Sequence, residues 1–153
     1  MDGIVGGWEL GYFFTLQASQ PMQITQNGGT LWNGTQRPNY SGDIASSGSV
    51  YDRMGNWFNA SAFSQPAADT FGSAPRFMNI RGPRLNTWDA DITKSWKIKE
   101  RNSIEYRLEA SNFRNHPVFN PPGSTAFGSG SFGQITSTKI GSRSVQMSLK
   151  WRF

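Results

Sequence analysis

The end of the chain constrains it most. Over residues 145–153, Val145, Met147, Leu149, Trp151 and Phe153 alternate with Gln146, Ser148, Lys150 and Arg152 without interruption. Successive side chains of a strand point to opposite faces, so this pattern gives a β-strand with one apolar and one polar side. A tilted strand of about 9 to 11 residues crosses a bilayer, so the segment is long enough to span one.

The same period recurs upstream. Residues 8–18 place Trp8, Leu10, Tyr12 and Phe14 at even positions, with mostly polar or small residues between them, and Pro21 ends the run. Residues 88–98 carry Trp88, Ile92 and Trp96, and residues 104–110 carry Ile104, Tyr106 and Leu108, again at even numbers. Cross-strand partners share a face, so these two runs join through a turn with an odd number of residues. A three-residue turn at 99–101 predicts Ile98 opposite Asn102, Trp96 opposite Ile104 and Ile92 opposite Leu108. The opposite face then holds Asp89, Asp91, Glu105, Arg107 and Glu109 as a charged ladder.

The stretches between these strands read differently. Residues 20–85 lose all periodicity and are rich in Gly, Ser, Asn and Pro with isolated aromatics, which predicts a long polar connection. Part of it, residues 57–63, suits an extension of a hairpin. A second Pro- and Gly-rich loop follows residues 115–117. Long, short and long connections between four strands are the order expected of an up-and-down barrel with long outer loops and tight inner turns. The expected fold is therefore all-β: the C-terminal fragment of an antiparallel transmembrane β-barrel, with about four spanning strands and long outer loops, over residues 1–153.

Composition is compatible with this. Only 36% of residues are hydrophobic, because a barrel strand needs an apolar side chain only at alternate positions. No stretch approaches the roughly 18 to 20 apolar residues of a spanning helix. There is no cysteine, which removes disulfides and thiolate metal sites. The formal charge of +5 comes from scattered residues that form no basic run, so nucleic acid is not an expected partner. Met1-Asp2-Gly3 lacks the basic region of an export signal, and Glu9 interrupts the first apolar stretch, so an exported barrel is expected to have further sequence upstream.

Several segments sharpen the picture. The terminal alternation ending in Phe153 looks like the signal read by the barrel assembly machinery. Residues 57–63, 79–83, 109–117 and 132–137, together with Trp88-Asp89 and Lys94, resemble the C-terminal end of TonB-dependent receptors bearing a carboxypeptidase-regulatory-like N-terminal domain. The resemblance covers residues 8–153. It implies a plugged barrel of roughly 22 strands in the bacterial outer membrane, embedded in its lipid. It also implies energy-coupled uptake of a nutrient ligand, with the TonB contact in the upstream part. Ser111 and Arg114 depart from the pattern around Asn112-Phe113.

No residue set points to catalysis, a cofactor or a metal. His116 is the only histidine and sits in a turn before Pro117. The outward tryptophans, with Trp8, Trp88, Trp96 and Trp151 among them, suit interfacial girdles. The loop aromatics Trp32, Tyr40, Tyr51, Trp57 and Phe58 are the candidate ligand contacts. Lys94 shares the outward face and is expected to snorkel to headgroups, over Tyr106. A passive porin-like barrel and a secreted carbohydrate-binding β-sandwich are the alternative readings; the latter requires two apolar faces packed together.

Overall fold

The structure, a computed structural model, describes residues 2–99 and 102–153. The chain divides into two compact units: residues 1–17, Leu85–Val118 and Ile140–Phe153 form one, and Ala18–Arg84 with Phe119–Lys139 form the other.

The first unit is a four-stranded antiparallel meander of β1 (Trp8–Gln17), β2 (Leu85–Lys99), β3 (Asn102–Ser111) and β4 (Ser144–Arg152), paired in chain order. All four expected strands are present, within a few residues of their expected ends. Register puts the apolar positions in rungs across the whole sheet. Leu10, Ile92, Leu108 and Met147 form one rung, and Trp8, Lys94, Tyr106 and Leu149 the next. Even-numbered residues of β1 to β3 thus share a face with odd-numbered residues of β4.

The turn between β2 and β3 departs from expectation. Trp96 does oppose Ile104 and Ile92 does oppose Leu108, but Asn102 pairs with Lys99 and not with Ile98. A β-bulge between Lys97 and Lys99 absorbs Ile98 as the extra residue, and Glu100 and Arg101 of the expected turn lie outside the described residues. The bulge lets a shorter connection preserve the same face parity beyond it.

Both outer strands of the meander, β1 and β4, are edges among the described residues. Among the described residues every other sheet has only two strands, and Trp8, Tyr12, Leu149 and Trp151 all stay exposed. This excludes the β-sandwich alternative, which needs those side chains buried between sheets.

The second unit overturns the expectation of a structureless polar connection. Its hydrophobic core gathers Met22, Ile24, Trp57, Phe58, Phe63 and Met78 from the first segment with Phe119 and Ile135 from the second. Phe132 lies 5.0 Å from the Phe58 ring and 5.7 Å from that of Phe63, and Phe127 packs beside both Phe63 and Phe132. Its strands are short: Thr25–Gln26 runs parallel to Ala126–Phe127, and Asn39–Tyr40 antiparallel to Phe63–Ser64. Residues 57–63 pair antiparallel with residues 40–46, through Phe58 opposite Ala45 and Phe63 opposite Tyr40, with a 3-10 turn at Ala60–Ala62 between, and they turn Trp57 and Phe58 into the core. Gly133 is required at its position: its φ of 71° favours glycine, and a side chain would press on Phe58 and the Trp57 backbone.

Candidate functional site

The two faces of the sheet have opposite chemistry. On the apolar face, Leu10, Tyr12 and Phe14 of β1 lie level with Ile92, Ala90 and Trp88 of β2. Aromatics gather at its two ends. Phe14 stacks on Trp88 at 5.2 Å, and Phe113 meets Trp88 edge-on at 6.3 Å near the long connections. At the other end Trp96, Ile104 and Trp151 share a rung, and Trp151 contacts Phe153 at 6.2 Å. The run from Trp88 to Trp96, at about 3.3 Å per residue, is roughly 26 Å long, and at a tilt of about 40° it covers roughly 20 Å of the about 25 Å apolar band of such barrels.

Lys94 breaks this face chemically yet is 1% exposed. Its ammonium group donates to the carbonyls of Ile4 and Gly6 and lies 5.0 Å over the Trp8 ring and 5.6 Å from that of Trp96. The charge is therefore satisfied within the chain, by backbone oxygens and aromatic faces, and does not snorkel to headgroups. Tyr106 is its cross-strand neighbour, but the indoles hold the cation.

The polar face carries Asp89, Asp91, Glu105, Arg107 and Glu109 at half-buried to exposed positions. Its rungs are Gly11, Asp91, Glu109 and Gln146, then Glu9, Thr93, Arg107 and Ser148. Arg107 pairs with Glu109 at 3.0 Å, and Arg152 of β4 reaches Glu105 at 3.1 Å. Asp91 folds its carboxylate over Gly11, where any side chain would collide with it. Opposite charges side by side lower the cost of a charged surface that stays wet. Phe13, opposite Asp89, and Leu85, opposite Gln17, are apolar exceptions on this face.

Asn112 was singled out in the sequence only as part of a resemblance, and the structure gives it a role. It is buried with φ 50°, a conformation asparagine tolerates. Its amide donates to the Gly141 carbonyl at 2.8 Å, its side-chain oxygen accepts from the His116 N–H, and its own N–H donates to Asp89 at 2.8 Å. It therefore ties the ends of β2 and β3 to the approach to β4. Asn115, at φ 52°, adds a bond from the Arg143 N–H. His116 itself is exposed, and no group of three or more His, Asp or Glu side chains comes together among the described residues.

The loop aromatics separate into two sets. Trp32 is 95% exposed, Tyr51 is exposed with its ring centroid 5.5 Å from that of Phe119 in an edge-on contact, and Tyr40 is exposed. Trp57 is 3% exposed and cannot meet a ligand, which corrects its reading as a loop contact. Its indole N–H donates to the Arg81 carbonyl at 2.9 Å and the Arg53 guanidinium lies 3.9 Å over its ring. Burial pulls Arg53 below the ordinary arginine range. Beside it, the Ser49 hydroxyl and backbone N–H both donate to Asp52, holding that carboxyl below its usual range and closing a capping box on the short helix Val50–Arg53. Phe58 is fully buried, so it too leaves the set of ligand contacts.

The exposed loop that carries Trp32 is held from beneath. The buried Gln36 accepts from the Thr30 N–H and donates to the carbonyls of Ala67 and Thr70, joining residues 30–36 to residues 67–70. Nothing in the local sequence marks this glutamine, because its partners are distant in the chain.

No curated protein sequence and no solved structure matches the chain. A family model described as an outer membrane beta barrel domain matches residues 1–146, nearly the whole length. That match and the antiparallel meander with one lipid-compatible face lead to one conclusion: the chain belongs to the outer membrane β-barrel domain family and is a protein of the bacterial outer membrane.

Proposed function

We propose that this chain forms the C-terminal part of a TonB-dependent receptor that imports a nutrient ligand with energy coupling and performs no catalysis. One observation carries the reading: the two long connections fold together into a cored unit and are not slack loops. A receptor that captures a dilute ligand gains from contacts held rigidly in place, whereas a diffusive pore needs only a constriction. Exposed Trp32, on a loop locked by Gln36, is the kind of rigid aromatic contact that capture requires. The paired charges on the polar face suit a lumen that is wet and packed by an upstream plug.

In this reading the apolar face meets outer-membrane lipid. Val145, Met147, Leu149, Trp151 and Phe153 form the strand offered to the barrel assembly machinery. Coupling to TonB runs through sequence upstream of this chain. The test is nutrient uptake by cells that carry the whole receptor, with and without a functional energy transducer. Uptake that collapses when the transducer is removed supports the reading. Uptake that continues unchanged and follows the outside concentration assigns the barrel to passive diffusion.

A further inference from the structure

The second unit contains an open cavity of about 450 Å³ between residues 19–23 and 121–125. Such a volume falls within the range of small-ligand sites, about 300 to 1,000 Å³. We infer that this cavity binds an uncharged saccharide, a conclusion that rests on the receptor reading and names its substrate class.

The first argument is charge. The protein has 15 Lys and Arg against 10 Asp and Glu, yet no ionisable side chain lines the cavity. Arg81 spends one guanidinium N–H on the carbonyl of the lining residue Ser19 at 2.7 Å and does not itself line the cavity. A site for an anionic metal chelate or a phosphate ester would recruit such cations, and this one does not.

The second argument is the balance of polar and apolar wall. Gln20, Gln23 and Thr125 line the cavity, and the side chains of all three lack a hydrogen-bond partner among the described residues. The neighbouring Ser19 hydroxyl is by contrast satisfied by the Pro83 carbonyl at 3.0 Å. Each glutamine amide offers both a donor and an acceptor, and the threonine hydroxyl does the same. Between them Pro21, Met22, Pro121 and Pro122 supply hydrocarbon surface. Hydroxyls around an apolar C–H face are the chemistry of a sugar ring.

The third argument weighs against a peptide. An extended peptide binds chiefly through free main-chain groups of its host. Here the Met22 N–H is spent on the Ile80 carbonyl at 3.0 Å and the Met22 carbonyl on the Met78 N–H at 2.8 Å. Pro21, Pro121 and Pro122 have no N–H to offer. At these four lining residues recognition is left to side chains. The walls are also tied together before any ligand arrives, since the Thr25 N–H donates to the Thr125 carbonyl at 3.1 Å.

The test uses the full chain folded in detergent micelles and calorimetric titration with four kinds of probe: maltotriose, cellotriose or xylotriose, a neutral proline-containing tripeptide, and ferric citrate. Saturable binding is expected for at least one trisaccharide and for neither other probe. Gln23→Ala and Thr125→Val should each weaken it by about tenfold, with the protease-resistant core of the unit unchanged. The inference is overturned if no trisaccharide binds, if binding survives both substitutions, or if only the tripeptide or ferric citrate binds. Uptake in cells separates this from the receptor reading. Energy-dependent import of some other nutrient, with no trisaccharide binding, sinks the saccharide site alone. Trisaccharide binding with wholly passive uptake sinks the receptor reading and keeps the site.

Discussion

The sheet and the unit built from Ala18–Arg84 and Phe119–Lys139 use the same residue types in opposite ways. In the sheet, Leu10, Tyr12, Leu149 and Trp151 stand in the open at strict alternate positions. In the other unit Trp57, Phe58, Phe63 and Phe132 turn inward from irregular positions and pack on one another. The sheet leaves its apolar side chains for a surrounding solvent of hydrocarbon, while the other unit must supply its own. One chain thus carries two solutions to the same problem, and the spacing of the aromatics tells them apart.

If each region depends on its own apolar contacts, damage should stay local. The largest effect is expected for Phe58→Ala, which removes a fully buried ring and costs about 3 to 5 kcal/mol. Limited proteolysis should then digest the second unit while the heat-modifiable gel mobility of the membrane-inserted sheet persists. Equal loss of both would break the comparison. Next comes Leu149→Arg, which puts a charge at a 73% exposed apolar-face position and costs about 2 to 4 kcal/mol at mid-membrane. It should block assembly, as should Leu108→Arg on the adjacent rung of the same face, whereas Ser148→Arg on the polar face should be tolerated in an outer-membrane folding assay. If the two faces respond alike, the facial assignment is wrong.

A smaller effect, about 1 to 3 kcal/mol, is expected for Asn112→Ala, which leaves the Gly141 carbonyl and the His116 N–H without their partner. Thermal unfolding should register the loss. Asn112→Gly would relieve the backbone but not restore the bonds, so it should remain destabilised; full recovery by glycine would reduce the residue to its φ angle.

The smallest effect is a pH response in the second unit. Asp52 has a folded-state pKa below its unfolded value of 3.8, so its cap is fully present above that value and fades as pH falls through the lower folded one. Asp52→Asn should remove this acid step from the amide-exchange profile of residues 49–53, leaving the sheet's profile unchanged. An acid step that persists in the variant would assign it to another group.

The sheet was legible because its signal is local. The period-two rows of Trp8 to Phe14 and Val145 to Phe153 state which side chains share a face, and a single parity condition sets the partners of Ile92 and Trp96. What escaped was the bulge at Ile98, which conserves face parity and so leaves no mark in the pattern. Lys94 escaped too, because its carbonyl partners, Ile4 and Gly6, are distant in sequence and reach it only through the pairing of β1 with β2. The second unit reads as loop in the sequence for a related reason. Its strands are two or three residues long, and its core joins Phe58 to Phe132 across about half of the chain. A surplus of aromatics in an otherwise polar stretch was the one available hint.

The order of the residues alone therefore determined the four strands, their polarity and which side of each is apolar, since side-chain direction along a strand follows from covalent geometry. Tertiary structure alone decided which aromatics are core and which are free. It turned Trp57 inward and left Trp32 out. Burial in an irregular region depends on which distant segments meet, and no local periodicity encodes that meeting.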